Sequence, residues 1–531
     1  MSRQVTLLGL CALVSSSEAR GQAAATYHPL DMEFRRLAAR RFVFDNNLPL
    51  CELQPDTVVA LDLMHPYRHA DLSGEPEGTA CNYATEDGYL AITNNESVDA
   101  YSTILVGGMN PFAVYDVGVQ SVEGSGHVGI ELSRTDSSQG LQVVAEYAEG
   151  KAVQVVARYH ADGERVLDEP LTLARVPEPP YTLRVQMMGT GVGVYLEKNG
   201  VSMLQGVFET HDFVDFRDKV TFMDCKFRIA THLTPESRIE IDEAKSYLSC
   251  GVGQADIRMV TRKDGSPYWQ DGRLWFLFTA RGWLLPHATQ GVLSLDPTVF
   301  DPRFEGTIVF DLGDGKLRND VATHIFHDEA CQEWRGWSCN FSTVIDGTDR
   351  KPSGINYVWS KRSPLKGFSV MQARAAENIT DKHEDPCGVW DEEAGKWRML
   401  LSSFHDGIKA SLWESDHWDG PFTKIAGPVP RDSTGTLIQT IGGTRYVFAG
   451  SSDQAVYVYA YPALELVGSL AMDYYPWNDS VKNGRVWPNI FPMPEGHPYP
   501  YMAMMMDRAN FPNLEGWTYG ALYLYGAVPT K

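Results

Sequence analysis

The stretch HEDPCGVWDEEAGKWRMLLSSFHDGIKASLWESD, residues 383–416, decides the fold. It opens on the short run HEDPCGVW, turns at a glycine, continues in the aromatic run KWRMLLSS, turns again at HDG and closes in KASLWESD. Short runs rich in aromatic and aliphatic residues, punctuated by Gly and Asp, read as strands and not as helix. The same unit recurs around it. Opening runs QADIRMV, RNDVATHI, RDSTGTLI and RVWPNIFP are followed by second strands DGRLWFLFTARG, CQEWRGWSCNFS, GGTRYVFAGSSDQ and HPYPYMAMMMDRAN. Third strands follow as TQGVLSLD, GINYVWSKR, AVYVYAYP and YGALYLYGA, so that five units fill residues 254–529. A sheet of three or four strands cannot bury both of its faces alone, so the units are expected to stack radially as a five-bladed β-propeller. The opening strand of each unit then lines a central channel, and the residue that starts it lies near one mouth. Four units present an aspartate there, Asp256, Asp320, Asp385 and Asp432, and the fifth presents Asn489. The last unit lacks a clear fourth strand, so the ring either closes with a strand from elsewhere or stays unlatched.

Ahead of the propeller, residues 52–250 read as a jelly-roll-like β-sandwich. The runs TVVALDL, GYLAITN, FAVYDVGVQSV, HVGIELSRT, LQVVAEYA, KAVQVVARYH, YTLRVQMM, GVGVYLEKN, FRIATHL and RIEIDEAKSYL alternate in polarity and are separated by turn residues such as HADGER and EKNG. The fold class is therefore all-β, with the propeller occupying 251–531. Residues 1–25 have the layout of a secretory signal, a basic start, a short apolar run and then small residues, which implies a secreted or periplasmic protein. Residues 26–51 form an N-terminal segment in which DMEFRRLAARRF looks helical.

The 531 residues carry a net charge of -22, which excludes nucleic acid and anionic membrane surfaces as partners and leaves a neutral, hydroxyl-rich one. No stretch approaches the roughly 20 apolar residues needed to span a bilayer. The eight cysteines form no CxxC pair, so a zinc site is not expected. One or two disulfides are compatible with the sequence, Cys331 and Cys339 being the nearest pair, but most cysteines read as buried thiols. No cofactor is implied. Calcium would suit an acidic channel, although no EF-hand-like loop is present. Nucleophile elbows, P-loops, HExxH and dinucleotide fingerprints are missing. Nothing in the sequence speaks to oligomeric state.

Carboxylates converging on one funnel repel each other, so some hold their protons while others ionise. That division supplies a general acid and a general base from one residue type, the requirement of glycosidic bond hydrolysis. The unit HEDPCGVWDEEAGKWRMLLSS with WESDHWDGPFTKIAGPV resembles the "DP" blade of the five-bladed furanosidase superfamily, which includes glycoside hydrolase families 43, 62 and 117, with 32 and 68 as cousins. Asp385-Pro386, Trp390-Asp391, Gly395-Lys396-Trp397 and Gly420-Pro421-Phe422 carry the match, and the resemblance covers residues 254–529. The early GYLAITN and closing RIEIDEAKSYL of the first half resemble concanavalin-like modules that accompany sugar-processing enzymes.

The resemblance implies a glycosidase acting on a poly- or oligosaccharide, inverting, with Asp256 as base and Asp320 or Asp385 tuning its environment. The family places a Glu acid on a later blade, where this chain has Asp432. Asp432 is the first candidate for that role and Glu384 the second, because neighbouring strand residues point to opposite faces and Asp385 is expected to face inward. Arg258, Arg318, His324, His405, Trp487 and Asn489 are candidate substrate contacts. For the histidines an ordinary hydrogen-bonding role is the commoner one, and for the tryptophans, Trp334 and Trp337 included, packing between blades. Two other readings stand beside hydrolysis: a non-catalytic glycan-binding protein, and a glycoside phosphorylase or transferase using Arg258, Arg318 and His383 for phosphate.

Overall fold

The computed structural model describes residues 27–55, 81–342, 354–379, 382–404, 407–474, 486–508 and 519–530. The signal-like residues 1–25, the run TVVALDL and His405 lie outside them. The fold is all-β, a sandwich followed by a five-bladed propeller.

Two antiparallel sheets, of six and eight strands, make the sandwich. Alternation along each strand turns Ile130, Leu132, Val143, Ala157 and Phe227 of one sheet against Val117, Leu183, Val185, Val194 and Ile241 of the other, forming a single apolar core. Five of its strands, Leu48–Leu53, Asn82–Glu86, Ala100–Gly108, Glu164–Leu171 and Val201–Glu209, were not legible as separate runs. Glu164–Leu171 begins in exposed polar residues, and Val201–Glu209 is broken by Gln205-Gly206.

The propeller blades begin with Gly253–Met259, Val321–Asp328, His383–Asp391, Thr434–Ile441 and Ile490–Pro492. Blades 3 and 4 are separate four-stranded sheets, whereas blades 1 and 2 are joined at their rims, where Asp301–Asp311 pairs in parallel with Gly367–Ala375. The ring is latched by the N-terminal segment. Met32–Arg40 is a strand, not a helix, and pairs antiparallel with Tyr519–Pro529 to complete blade 5, while Glu33 and Phe34 also meet Ala471 and Met472 beyond blade 4. The Leu-Ala-Ala-Arg tract has good helix propensity, but an open sheet edge at each side and buried seats for Met32 and Phe34 outweigh a preference of a few tenths of a kcal/mol per residue.

All seven cysteines among the described residues are free. Cys331 lies in the turn that begins a blade-2 strand and Cys339 at the other end of that strand, Glu333–Cys339, so the expected pairing is not formed. The sandwich braces blades 1 and 2 through Lys219–Asp311 at 2.6 Å, Lys316–Asp215 at 2.8 Å and His287–Glu209 at 2.9 Å. Asn319 adds a clamp, donating to the carbonyls of Met188 at 3.3 Å and Ala288 at 2.8 Å. This fixes the chain immediately ahead of Asp320.

Candidate active site

Four of the inner strands carry the same irregularity. Register slips between Ala255 and Arg258, Val321 and His324, Glu384 and Cys387, and Thr434 and Leu437 mark one bulge per blade. Its first residue has positive φ in every case: Asp256 at 49°, Ala322 at 52°, Asp385 at 59° and Gly435 at 59°. Only Asp256 and Asp385 therefore share the blade position that the sequence suggests for four aspartates. Asp320 lies two residues ahead of its bulge and Asp432 three, and those bulges hold an alanine and a glycine instead. The glycine is required: a Cβ on Gly435 would sit 2.5 Å from the Trp487 ring.

On blade 3 the bulge interrupts strict strand alternation between Glu384 and Cys387. Burial, followed by the charges of Glu384, Asp385, Asp320 and Asp256, pushes the Cys339 thiol well above its ordinary range. The charges of these four carboxylates thus all act on one buried sulfur.

Asp385 is 5% exposed, and its Oδ2 accepts from Ser402 Oγ at 3.0 Å, Thr434 Oγ1 at 2.9 Å and the Gly435 amide at 3.2 Å. Burial first, then the charge of Asp256, raises its pKa against the pull of those donors and of Arg258. Asp256 itself is half-buried. Asp320 is fully buried, accepting from Ser342 Oγ at 2.6 Å, the Ser342 amide at 3.1 Å and Asn356 Nδ2 at 3.0 Å. Burial pushes its carboxyl up to about 6. Asp432 precedes its strand and accepts from the Ser452 amide at 2.9 Å.

Asp320 has a pH signature. Its folded pKa stands above the unfolded value, so its stabilising contribution is complete below about pH 4 and is lost as pH rises through about 6. The unfolding free energy of the wild type minus that of Asp320→Asn is expected to fall by about 2 kcal/mol between pH 4 and pH 7. Denaturant titrations at the two pH values measure it, and a pH-independent difference would contradict the assignment.

No protein-family profile matches the chain, and no curated protein does. Solved structures do. A thermostable family-43 glycoside hydrolase aligns at 12% identity over 52% of this chain and 88% of its own, with a TM-score of 0.35. An endo-1,4-β-xylanase from Bacteroides thetaiotaomicron aligns at 9% identity over 51% and 89%, with a TM-score of 0.33. The carbohydrate-binding module CBM66 from Bacillus subtilis aligns at 14% identity over 31% and 91%, with a TM-score of 0.23.

The remaining sequence candidates divide by location. Arg258 is 2% exposed, donates from Nη1 to the Thr436 carbonyl at 2.6 Å and lies over the Trp487 ring at 5.6 Å. It sets positive charge beside Asp385. Trp487 is buried between Arg258 and Gly435, so it shapes the channel wall. Asn489 splices blade 5 to blade 1, donating to the Ile257 carbonyl and accepting from the Met259 amide at 3.0 Å. Arg318 pairs with Asp314 at 2.5 Å and draws the pKa of Asp320 down.

His324 accepts the Gly388 amide on Nδ1 at 3.1 Å, so its proton sits on Nε2 and is donated to Thr261 Oγ1 at 3.0 Å. Burial and Arg258 hold it neutral, its pKa lowered to about 3. It is a tie between blades 1, 2 and 3. Trp337 packs on Phe326 and Trp397, and Trp334 on Tyr268 and His327, both within blade packing. Among the described residues no group of three or more His, Cys, Asp or Glu is placed to hold a metal ion. Sequence reasoning did not single out Ser402 and Thr434, nor Cys339 as a neighbour of the carboxylates; a serine or threonine facing an inner-strand Asp is a weak signal, and the bulge itself leaves none.

Proposed function

We propose that the channel hydrolyses a glycosidic bond of a poly- or oligosaccharide. The observation that carries this reading is the matched pair Asp256 and Asp385, at one bulge position on blades 1 and 3, with the charge of one raising the pKa of the other. The charge of Asp256 disfavours the ionised form of Asp385, the direction that suits two carboxyls dividing acid and base work. Asp256 is the base: it takes a proton from water as the water oxygen attacks the anomeric carbon. The bond from that carbon to the leaving oxygen breaks, and the leaving oxygen receives a proton from a carboxylic acid. Glu384 is assigned as that acid, since its charge acts on the same buried Cys339 thiol as those of Asp256, Asp385 and Asp320. Asp385 tunes the pair, and Asp432 receives no role.

A second reading, glycan recognition without hydrolysis, draws on Gly435. Blade 4 presents no side chain at the bulge position that holds a carboxylate on blades 1 and 3. The two separate on a panel of aryl α-L-arabinofuranosides, β-D-xylopyranosides and β-D-galactopyranosides together with arabinan, arabinoxylan and laminarin. Hydrolysis of at least one, with inversion at the anomeric carbon by proton NMR, is the expected result. A wild type that is inert throughout yet binds one of these glycans establishes the second reading.

A further inference from the structure

A cavity of about 660 Å³ lies outside the channel, between the outer strands of blade 2 and the loop ahead of Thr423–Ala426 in blade 3. That size falls within the roughly 300–1,000 Å³ of small-ligand sites. Its walls include two half-buried indoles, Trp359 and Trp418, with ring centroids 6.5 Å apart and planes at 65°. The charges beside them are already matched. Arg374 pairs with Asp419 at 2.9 Å and lies over Tyr357 at 5.5 Å. Arg335 pairs with Glu333 and with Asp328, each at 2.9 Å, and lies over Trp418 at 5.4 Å. Guanidinium groups held this way fix the walls of the groove and leave it without a net field, while Gln372 and Lys361 stay exposed on its rim.

A groove with two partly open indole faces, internally neutralised charges and polar groups at the rim selects a neutral ligand that offers C–H faces to the rings and hydroxyls to the rim. The chain's net charge of -22 acts further against an anionic one. We infer that this groove is a second glycan-binding site, for a neutral oligosaccharide segment, separate from the channel. The inference rests on the carbohydrate reading of the channel only for its choice of polymer. The strand Glu333–Cys339 sets the separation: Cys339 sits among the channel carboxylates, and Glu333 lies six residues away at the groove, about 20 Å along an extended strand. A single sugar ring cannot span that distance. The groove therefore holds a remote part of a long glycan, or a neighbouring chain, while the channel engages its own bond.

Affinity electrophoresis of the full chain in gels containing arabinan, arabinoxylan or laminarin tests this. Wild type is expected to be retarded in at least one of them. Trp359→Ala and Trp418→Ala raise the apparent Kd about tenfold or more, as loss of a stacking tryptophan does. Gln372→Arg, at an exposed position that leaves the core alone, does the same by filling the groove, with an unchanged melting temperature. The inference is overturned if wild type moves freely in all three gels, or if Trp359→Ala and Gln372→Arg are retarded as strongly as wild type. Failure of the channel reading is distinct from this: no hydrolysis, with retardation that depends on Trp359, leaves the groove in place.

Discussion

Asp256→Asn and Asp385→Asn each lower kcat/KM on a responsive glycoside by at least about a hundredfold, with the melting temperature kept or raised. The size follows from removing a general base or the carboxyl that tunes it. The stability effect follows from the electrostatics, since Asp385 pays desolvation and repulsion from Asp256, and an amide in either place relieves the repulsion. Asparagine at 385 also keeps an oxygen facing Ser402, Thr434 and the Gly435 amide. The two variants differ in one readout. Taking the charge from position 256 lowers the pKa of Asp385, because that charge is the second cause of its elevation after burial. Carboxyl 13C titration of Asp385 is thus expected to move to lower pH in Asp256→Asn. An unmoved titration, or activity within a few-fold of wild type in either variant, would sink the pairing.

The propeller was readable because its signal is redundant: five units repeat strand, glycine turn and aromatic strand, and no single one has to be right. The channel aspartates were half readable. A bulge adds a residue without leaving any mark in composition, so RNDVATHI and RDSTGTLI align by eye on Asp320 and Asp432, while the ladders align Ala322 and Gly435 with Asp256 and Asp385. The same bulge follows Glu384, where strict alternation, which holds only for an unbroken strand, ends. His324 shows the limit of chemistry read from residue type. A histidine beside a carboxylate cluster invites a catalytic role, yet its two nitrogens are committed to Gly388 and Thr261 on neighbouring strands, contacts distant in sequence. The helix-like N-terminal run misled for a related reason: its conformation is set by the edge of a sheet built almost 500 residues later.

That edge gives the second large effect. Phe34→Ala is expected to cost about 3–5 kcal/mol, the range for emptying a buried aromatic seat, whereas Leu37→Ala on the same strand costs under about 0.5 kcal/mol. Phe34 is fully buried, against core residues of blades 4 and 5, and Leu37 is 42% exposed. The loss is not confined to one cavity. Glu33 and Phe34 pair on one side with Ala471 and Met472 and on the other with Val528 and Ala527, so this strand is what joins the last blade to the one before it around the seam of the ring. Weakening it frees the pairing edge of Tyr519–Pro529, and hydrogen exchange there is expected to accelerate well beyond that of blade 3, whose four strands pair only with one another. Equal destabilisation by the two substitutions, or exchange that rises uniformly over all blades, would mean that the ring is held by its inner strands and that the N-terminal strand only covers it.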